Sequence, residues 1–154
     1  VVGVDLDNTL AMYDGLMHTV ALEMNLITTD TEPNKKSIRD AIRLLPEGEI
    51  EWQKLQGVVY GPRMHDALVA EGAVSFFQEC KRQASKVFVI SHKTQYANYD
   101  PTNTNLHESA MQWMTANRFF DEEGLALVPN EIYMEKNFQL TKLSTFSILK
   151  NTYS

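Results

Sequence analysis

The chain has a single cysteine, Cys80, among 154 residues. One thiol cannot close an intrachain disulfide, so the core must hold the fold, and a reducing compartment, the cytoplasm, is the expected setting. Cys80 ends the run Phe76-Phe77-Gln78-Glu79-Cys80, which has the spacing of one helix face and reads as a packed core thiol, not a nucleophile. No apolar run approaches membrane-spanning length and no signal-peptide pattern opens the sequence, so no membrane partner is expected. Basic charge is also scarce. The formal net charge is -6, which argues against a nucleic-acid partner. A phosphate site stays open, because it needs only a few local cations. There is no repeat and no low-complexity tract, and the length fits about one domain with a sizeable core. The sequence starts at Val1, already in a strand pattern, which reads as a sign of residues trimmed upstream.

The first ten residues, Val1 to Leu10, carry the strongest signal. Val1, Val2 and Val4 read as a buried strand with no polar face, as in a parallel sheet. That strand runs into two carboxylates one residue apart, Asp5 and Asp7, with a hydroxyl at Thr9. The carboxyl ends of strands are where open α/β sheets bind ligands. Asp7 is expected on the first turn of a loop that curls back over Asp5. Two anions this close repel unless a proton or a cation lies between them. A hard divalent ion with oxygen ligands, Mg²⁺ above all, is the economical answer. The plainer alternative is a loop with two solvated acids. A glycosyltransferase also uses Asp-x-Asp, but with a nucleotide-sugar domain larger than this chain.

Strand and helix patterns alternate along the rest. Helical spacing covers Asp14 to Ile27, Ser37 to Leu45 and Ile50 to Tyr60, with breaks at Pro33, Pro46 and Gly61-Pro62. Val74 to Gln83 and Leu106 to Asn117 read as further helices, Lys86 to Ile90 and Glu131 to Met134 as short strands, and Leu140 to Lys150 as a helix. His92 to Asn105 is polar and aperiodic, a long loop. His107, at a helix start, is expected to be structural or solvated. Strands separated by helices predict an α/β fold on a parallel sheet. Residues 14–60 are too long for an ordinary crossover and read as an inserted helical unit.

A second strand ends in chemistry: Val87-Phe88-Val89-Ile90 leads to Ser91, His92, Lys93 and Thr94. A short hydroxyl at a strand end suits developing charge, although most such serines are turn caps. His92 lies beside it as a candidate phosphate or substrate contact. Arg63, just past the Gly61-Pro62 bend, is a candidate anion clamp, with a plain surface arginine equally open.

Asp5-Leu6-Asp7-Asn8-Thr9, at the end of a first strand, resembles the first motif of the haloacid dehalogenase-like (HAD) hydrolase superfamily. Tyr13-Asp14-Gly15-Leu16, the stretch Gln56 to Met64 and Ser91-His92-Lys93-Thr94 look like a less characterised branch of it. The resemblance implies a three-layer Rossmann-like core in residues 1–13 and 61–154, with a small helical cap in residues 14–60. It implies Asp5 as a nucleophile that forms an aspartyl-phosphate, and Asp7 as the general acid/base. Mg²⁺ would be held by Asp5 and the Asp7 main-chain carbonyl. Ser91 would hold the phosphoryl oxygens, and Thr9, His92 and Arg63 stand beside it as further candidate phosphate contacts. A lysine early in the helix after the next strand is also implied. Lys142 is the first choice and Lys136 the second, with an exposed helical lysine the plainer reading of either. Lys93 follows the wrong strand for that pattern. A fourth motif of paired acids should follow the Lys142 helix, but no acidic pair occurs after Glu135, so those acids are expected beyond Ser154 or not at all. The expected function is a Mg²⁺-dependent phosphohydrolase acting on a small phosphorylated substrate. A non-catalytic phosphate- or metal-binding relative is the alternative. A receiver-type phosphoacceptor is a third reading, disfavoured by the helical insertion.

Overall fold

The computed structural model describes residues 1–134 and the strand Ser147–Leu149. In chain order the elements are β1 (Val2–Asp5), β2 (Ala11–Met12), α1 (Asp14–Glu23), α2 (Lys35–Arg43), α3 (Gly48–Tyr60), β3 (Leu68–Val69), α4 (Ala73–Arg82), β4 (Val87–Ser91), α5 (Leu106–Ala116), β5 (Ile132–Met134) and β6 (Ser147–Leu149). Short 3-10 turns lie at Met64–Asp66 and Pro129–Glu131. The result is a mixed α/β fold on a parallel sheet, as the alternation of patterns predicts. None of the described helices is long and apolar enough to cross a membrane.

The main sheet has the order β5-β4-β1-β6, and every pairing in it is parallel. Val2, Gly3, Val4 and Asp5 sit opposite Val87, Phe88, Val89 and Ile90. The three strands read from apolar runs are therefore neighbours. The fourth strand corrects the sequence reading. Residues 147–149 pair with Val2, Gly3 and Val4 and are not the end of a helix spanning Leu140 to Lys150. A short apolar run has no period long enough to separate helix from strand, and here the open edge of β1 decided it. The rest of that stretch, with Lys136 and Lys142, lies outside the described residues.

A second, two-stranded antiparallel sheet joins Ala11 to Val69 and Met12 to Leu68. It gives the helical block a neck: the chain leaves the core along β2 and returns along β3. Two-residue strands carry too little pattern to read from sequence. Between them α1, α2 and α3 bury one shared apolar face, with Met17, Val20 and Ala21 from the first, Ile38 and Ile42 from the second, and Trp52, Leu55 and Val59 from the third.

The ends of these helices follow local chemistry. The apolar spacing predicts α1 through Ile27, but the helix stops at Glu23. Asn25 takes a left-handed conformation (φ 56°), its N–H donates to the Leu22 carbonyl, and the Leu26 N–H donates to Ala21. That double bond is a Schellman ending, which Asn tolerates better than a branched residue does. The α2 helix starts where Asn34 accepts a hydrogen bond from the Ser37 N–H at 2.8 Å. The α3 helix ends at Tyr60, before Gly61-Pro62, as predicted.

At Gly48, the first residue of α3, a Cβ would collide with the Ile42 carbonyl and the Arg43 backbone. Gly15, exposed in the first turn of α1, has open space around it. Gly48→Ala should therefore destabilise the fold by about 1–3 kcal/mol, the usual cost of overpacking. Gly15→Ala should raise stability by about 0.5–1 kcal/mol. Urea melts of the two variants check both signs, and equal midpoints would contradict the packing described here.

Candidate active site

The turn after β1 sets the site. Leu6 is fully buried, and its carbonyl accepts the N–H groups of both Leu10 and Ala11, at 3.0 and 2.9 Å. The Asn8 N–H donates to the Ala11 carbonyl at 2.8 Å, and Asn8 itself sits at φ 56°, a conformation open to Asn. The tight turn brings Asp7 back beside the strand end, as the sequence predicts. Across the ladder, Asp5 lies opposite Ile90, so Ser91 is the next residue on the neighbouring strand.

The Asp7 carboxylate is the hub. The Lys93 ammonium lies 2.8 Å from Oδ1, the Tyr13 hydroxyl donates to the same oxygen at 2.7 Å, and the Ser91 hydroxyl donates to Oδ2 at 2.9 Å. Lys93 Nζ also donates to the Tyr13 hydroxyl at 3.2 Å, and it sits 4.5 Å from the centre of the Tyr60 ring. The Lys93 main chain is held as well. Its N–H donates to Ser91 Oγ at 3.2 Å, and His107 Nε2 donates to its carbonyl at 2.7 Å. A carbonyl only accepts, so that bond requires the proton of His107 on Nε2. This gives His107 the structural part expected of it.

Burial alone would raise the pKa of Asp7. The adjacent Lys93 charge, with hydrogen bonds from Lys93, Tyr13 and Ser91, outweighs burial and holds the carboxyl below its ordinary value of 3.8. Tyr13 shifts the other way. Burial, and then the Asp7 charge, push its phenol well above 10.0, so it stays a neutral donor. Burial likewise pushes the Tyr60 phenol up.

The cluster opens onto a cleft of about 650 Å³. Its floor is Asp5, Asp7, Asn8, His92 and Lys93, and its far wall comes from the helical block through Gln53, Gln56, Gly57 and Tyr60. The Asn98 amide donates to Gln53 at 3.1 Å, tying α3 to the loop after β4. Gly57 permits the same approach, because a Cβ there would meet Ala97 at 3.1 Å.

Several expectations need correction. Arg63 is not an anion clamp. Its guanidinium is taken by Glu23 at 2.6 Å and Asp66 at 2.8 Å, and it does not line the cleft. Ser91 stands at the strand end as expected but is fully buried behind Asp7, so its hydroxyl serves Asp7 and not a ligand in the cleft. Thr9 belongs to the turn at residues 8–10 and does not line the cleft either. Lys93, set aside on the family pattern, is the cation at the centre. Tyr13 and Tyr60 carried no assigned role. A buried tyrosine needs a partner for its hydroxyl, but only Tyr60 lies in a helical pattern that announces burial.

The donor set admits Mg²⁺ only loosely. Among the described residues no group of three or more His, Cys, Asp and Glu side chains gathers to hold a metal. The Asp7 carboxylate already has three donors on it, which leaves its main-chain carbonyl as the ligand that the resemblance implies. Asp5 brings a carboxylate to the cleft floor. One carboxylate and one carbonyl fit an ion that keeps most of its waters and leans on substrate phosphate oxygens, as Mg²⁺ commonly does.

No protein-family model matches the chain, and neither does any curated protein or solved structure. The HAD resemblance rests on the motifs of the chain itself.

Lys93→Met should cost about 3–5 kcal/mol, because it strands a partly buried carboxylate, and combining it with Asp7→Asn should recover most of that loss. Denaturant melts of the two variants test this, and a double variant as unstable as Lys93→Met contradicts it. The pH dependence has a definite sign. A depressed folded-state value makes Asp7 stabilise the fold above pH 3.8, and this contribution is lost as the pH falls through the lower folded-state value. Asp7→Asn should flatten the acid limb of a stability–pH curve.

Proposed function

We propose that the cleft is the active site of a HAD-type phosphohydrolase acting on a small phosphorylated substrate. The observation that carries the reading is the convergence of Asp5 and Asp7 with the Ser91-Lys93 end of the adjacent parallel strand, at the floor of a polar cleft walled by the helical block. On this reading residues 14–60 act as the cap that controls access.

The steps follow from the side chains. Asp5 attacks phosphorus, an aspartyl-phosphate bond forms, and the bond to the leaving oxygen breaks. Water then attacks that phosphorus, Asp7 takes the proton, and phosphate leaves with Asp5 restored. Asp7 is available for this role because its neighbours hold it as a carboxylate, although the same contacts weaken it as a base. The same neighbours oppose protonation, so its help as an acid to a departing alkoxide is weak. His92, exposed on the cleft floor, supplies a donor to the phosphoryl oxygens. Mg²⁺ at Asp5 and the Asp7 carbonyl would supply charge neutralisation.

A phosphate-binding protein without turnover is the second reading, favoured by the triple engagement of Asp7. Steady-state assays with Mg²⁺ on aryl and alkyl phosphates separate the two. The phosphohydrolase reading expects turnover of p-nitrophenyl phosphate, much slower turnover of alkyl esters, and background rates for Asp5→Asn. Asp7→Asn should lower kcat by roughly 10²–10⁴-fold, the usual worth of acid–base help. Phosphate binding without turnover favours the second reading, and Asp5→Asn with wild-type kcat sinks the first.

A further inference from the structure

Lys93 is a charged side chain almost without access to water: 3% of it is exposed, against 26% of Asp7. Its three N–H donors are accounted for. One goes to Asp7 Oδ1 and one to the Tyr13 hydroxyl, and the third is left to the Tyr60 ring face or the Met64 sulfur, 3.9 Å away. The ammonium lies 5.3 Å from the centre of the Tyr13 ring and 4.5 Å from that of Tyr60, and both main-chain polar groups are bonded, to Ser91 and His107. A side chain fixed at both ends cannot swing to follow a substrate. It can fix Asp7.

The Asp7 carboxylate would otherwise be free to turn. It sits on a tight turn, with Oδ1 and Oδ2 each claimed by groups from different parts of the chain: Lys93 and Ser91 from the end of β4, and Tyr13 from the root of the helical block. A base works only from the right place, and an orienting third group is the general device for holding it there. Placement errors of about 1 Å cost on the order of 10²-fold in rate.

We propose that Lys93 is the positioning residue of this site, fixing the Asp7 carboxylate in its working orientation, with Tyr13 as the second point of the clamp. This rests on the phosphohydrolase reading. It places a site lysine directly after β4, where the family resemblance implies one in the helix after the next strand. Lys93 acts through Asp7 and does not bind substrate.

The test is steady-state kinetics on p-nitrophenyl phosphate with Mg²⁺, rates being taken per folded molecule from a melt of each variant. The variants are Lys93→Met, Tyr13→Phe, Asp7→Asn, and Lys93→Met combined with Asp7→Asn. Lys93→Met should lose about 10²-fold in kcat. Tyr13→Phe should lose roughly 5-fold, the worth of one hydrogen bond. KM should stay within about threefold in both, the signature of an interaction that does not bind ground-state substrate. The double variant should fall no further than Asp7→Asn alone.

A purely structural lysine would change the melt and leave kcat per folded molecule intact, and that result overturns the proposal. A loss that appears in KM overturns it too, because Lys93 would then bind substrate. So does a double variant with additive losses. If Lys93→Met does not fold, Tyr13→Phe decides: wild-type kcat there overturns the clamp. A wild-type chain with no turnover removes the phosphohydrolase reading and this proposal together, whereas an active wild type indifferent to these changes removes the proposal alone.

Discussion

A lysine whose side chain is only 3% exposed is stable in its charged form only beside a compensating charge, and the Asp7–Lys93 pair meets that constraint at 2.8 Å. Removing two ions from water costs several kcal/mol each, and their attraction offsets it only when the remaining donors and acceptors are also satisfied. Tyr13 and Ser91 complete that account. The pair therefore does more than join two residues. It ties the turn after β1, the root of the helical block and the end of β4 into one arrangement, and none of the three can shift without exposing a charge or breaking a bond. Tyr13 is fully buried and stacks edge-on to Tyr60, 4.9 Å between ring centres, which carries the constraint on into the end of α3.

The cleft width follows from the same chain of contacts. The helical block is hinged to the core by the two-residue strands β2 and β3, too short to hold it alone. Its far end is held by α3 against the loop after β4, through the Gln53–Asn98 bond and the close approach at Gly57. The loop in turn is fixed at its base by Lys93 and at its end by Asn105, whose side chain caps α5 by accepting the His107 N–H at 3.0 Å. An apolar residue at 98 would leave the block attached but loosen the wall facing Asp5.

Where the sequence was legible, one dominant physical signal was present. The apolar runs of β1 and β4 have no polar face, so a buried parallel pair followed from burial alone. The helices of residues 14–60 showed their 3.6-residue spacing, and the error at α1 was only in its end, where the left-handed Asn25 cut the helix short of Leu26 and Ile27. Illegible parts were decided by distant partners. Ser147–Leu149 is a strand because β1 had an edge to pair. Arg63 was open to two readings until Glu23, 40 residues away, proved to be beside it. Lys93 looked like a loop lysine because nothing near it in sequence announces Tyr13 or Tyr60. The carboxylate pair was legible as a charge problem, but the side chain that answers it was not.

That charge problem changes the chemistry of the site. On the proposed phosphohydrolase reading, Asp5 and Asp7 together would present two negative charges to an incoming phosphate dianion, a strong barrier to a carboxylate nucleophile. Lys93 cancels one of them permanently and from within the protein, so a divalent ion is not needed merely to let the two acids coexist. On that reading positive charge is still required between Asp5 and the phosphoryl oxygens, because the Lys93 ammonium is already engaged by Asp7 and the Tyr13 hydroxyl. On the proposed phosphohydrolase reading, the part played by Mg²⁺ thus moves from structure to substrate: the fold should be indifferent to the ion, while binding of a phosphate dianion should depend on it. Such a division is consistent with a donor set that holds an ion loosely until the substrate brings its own oxygens.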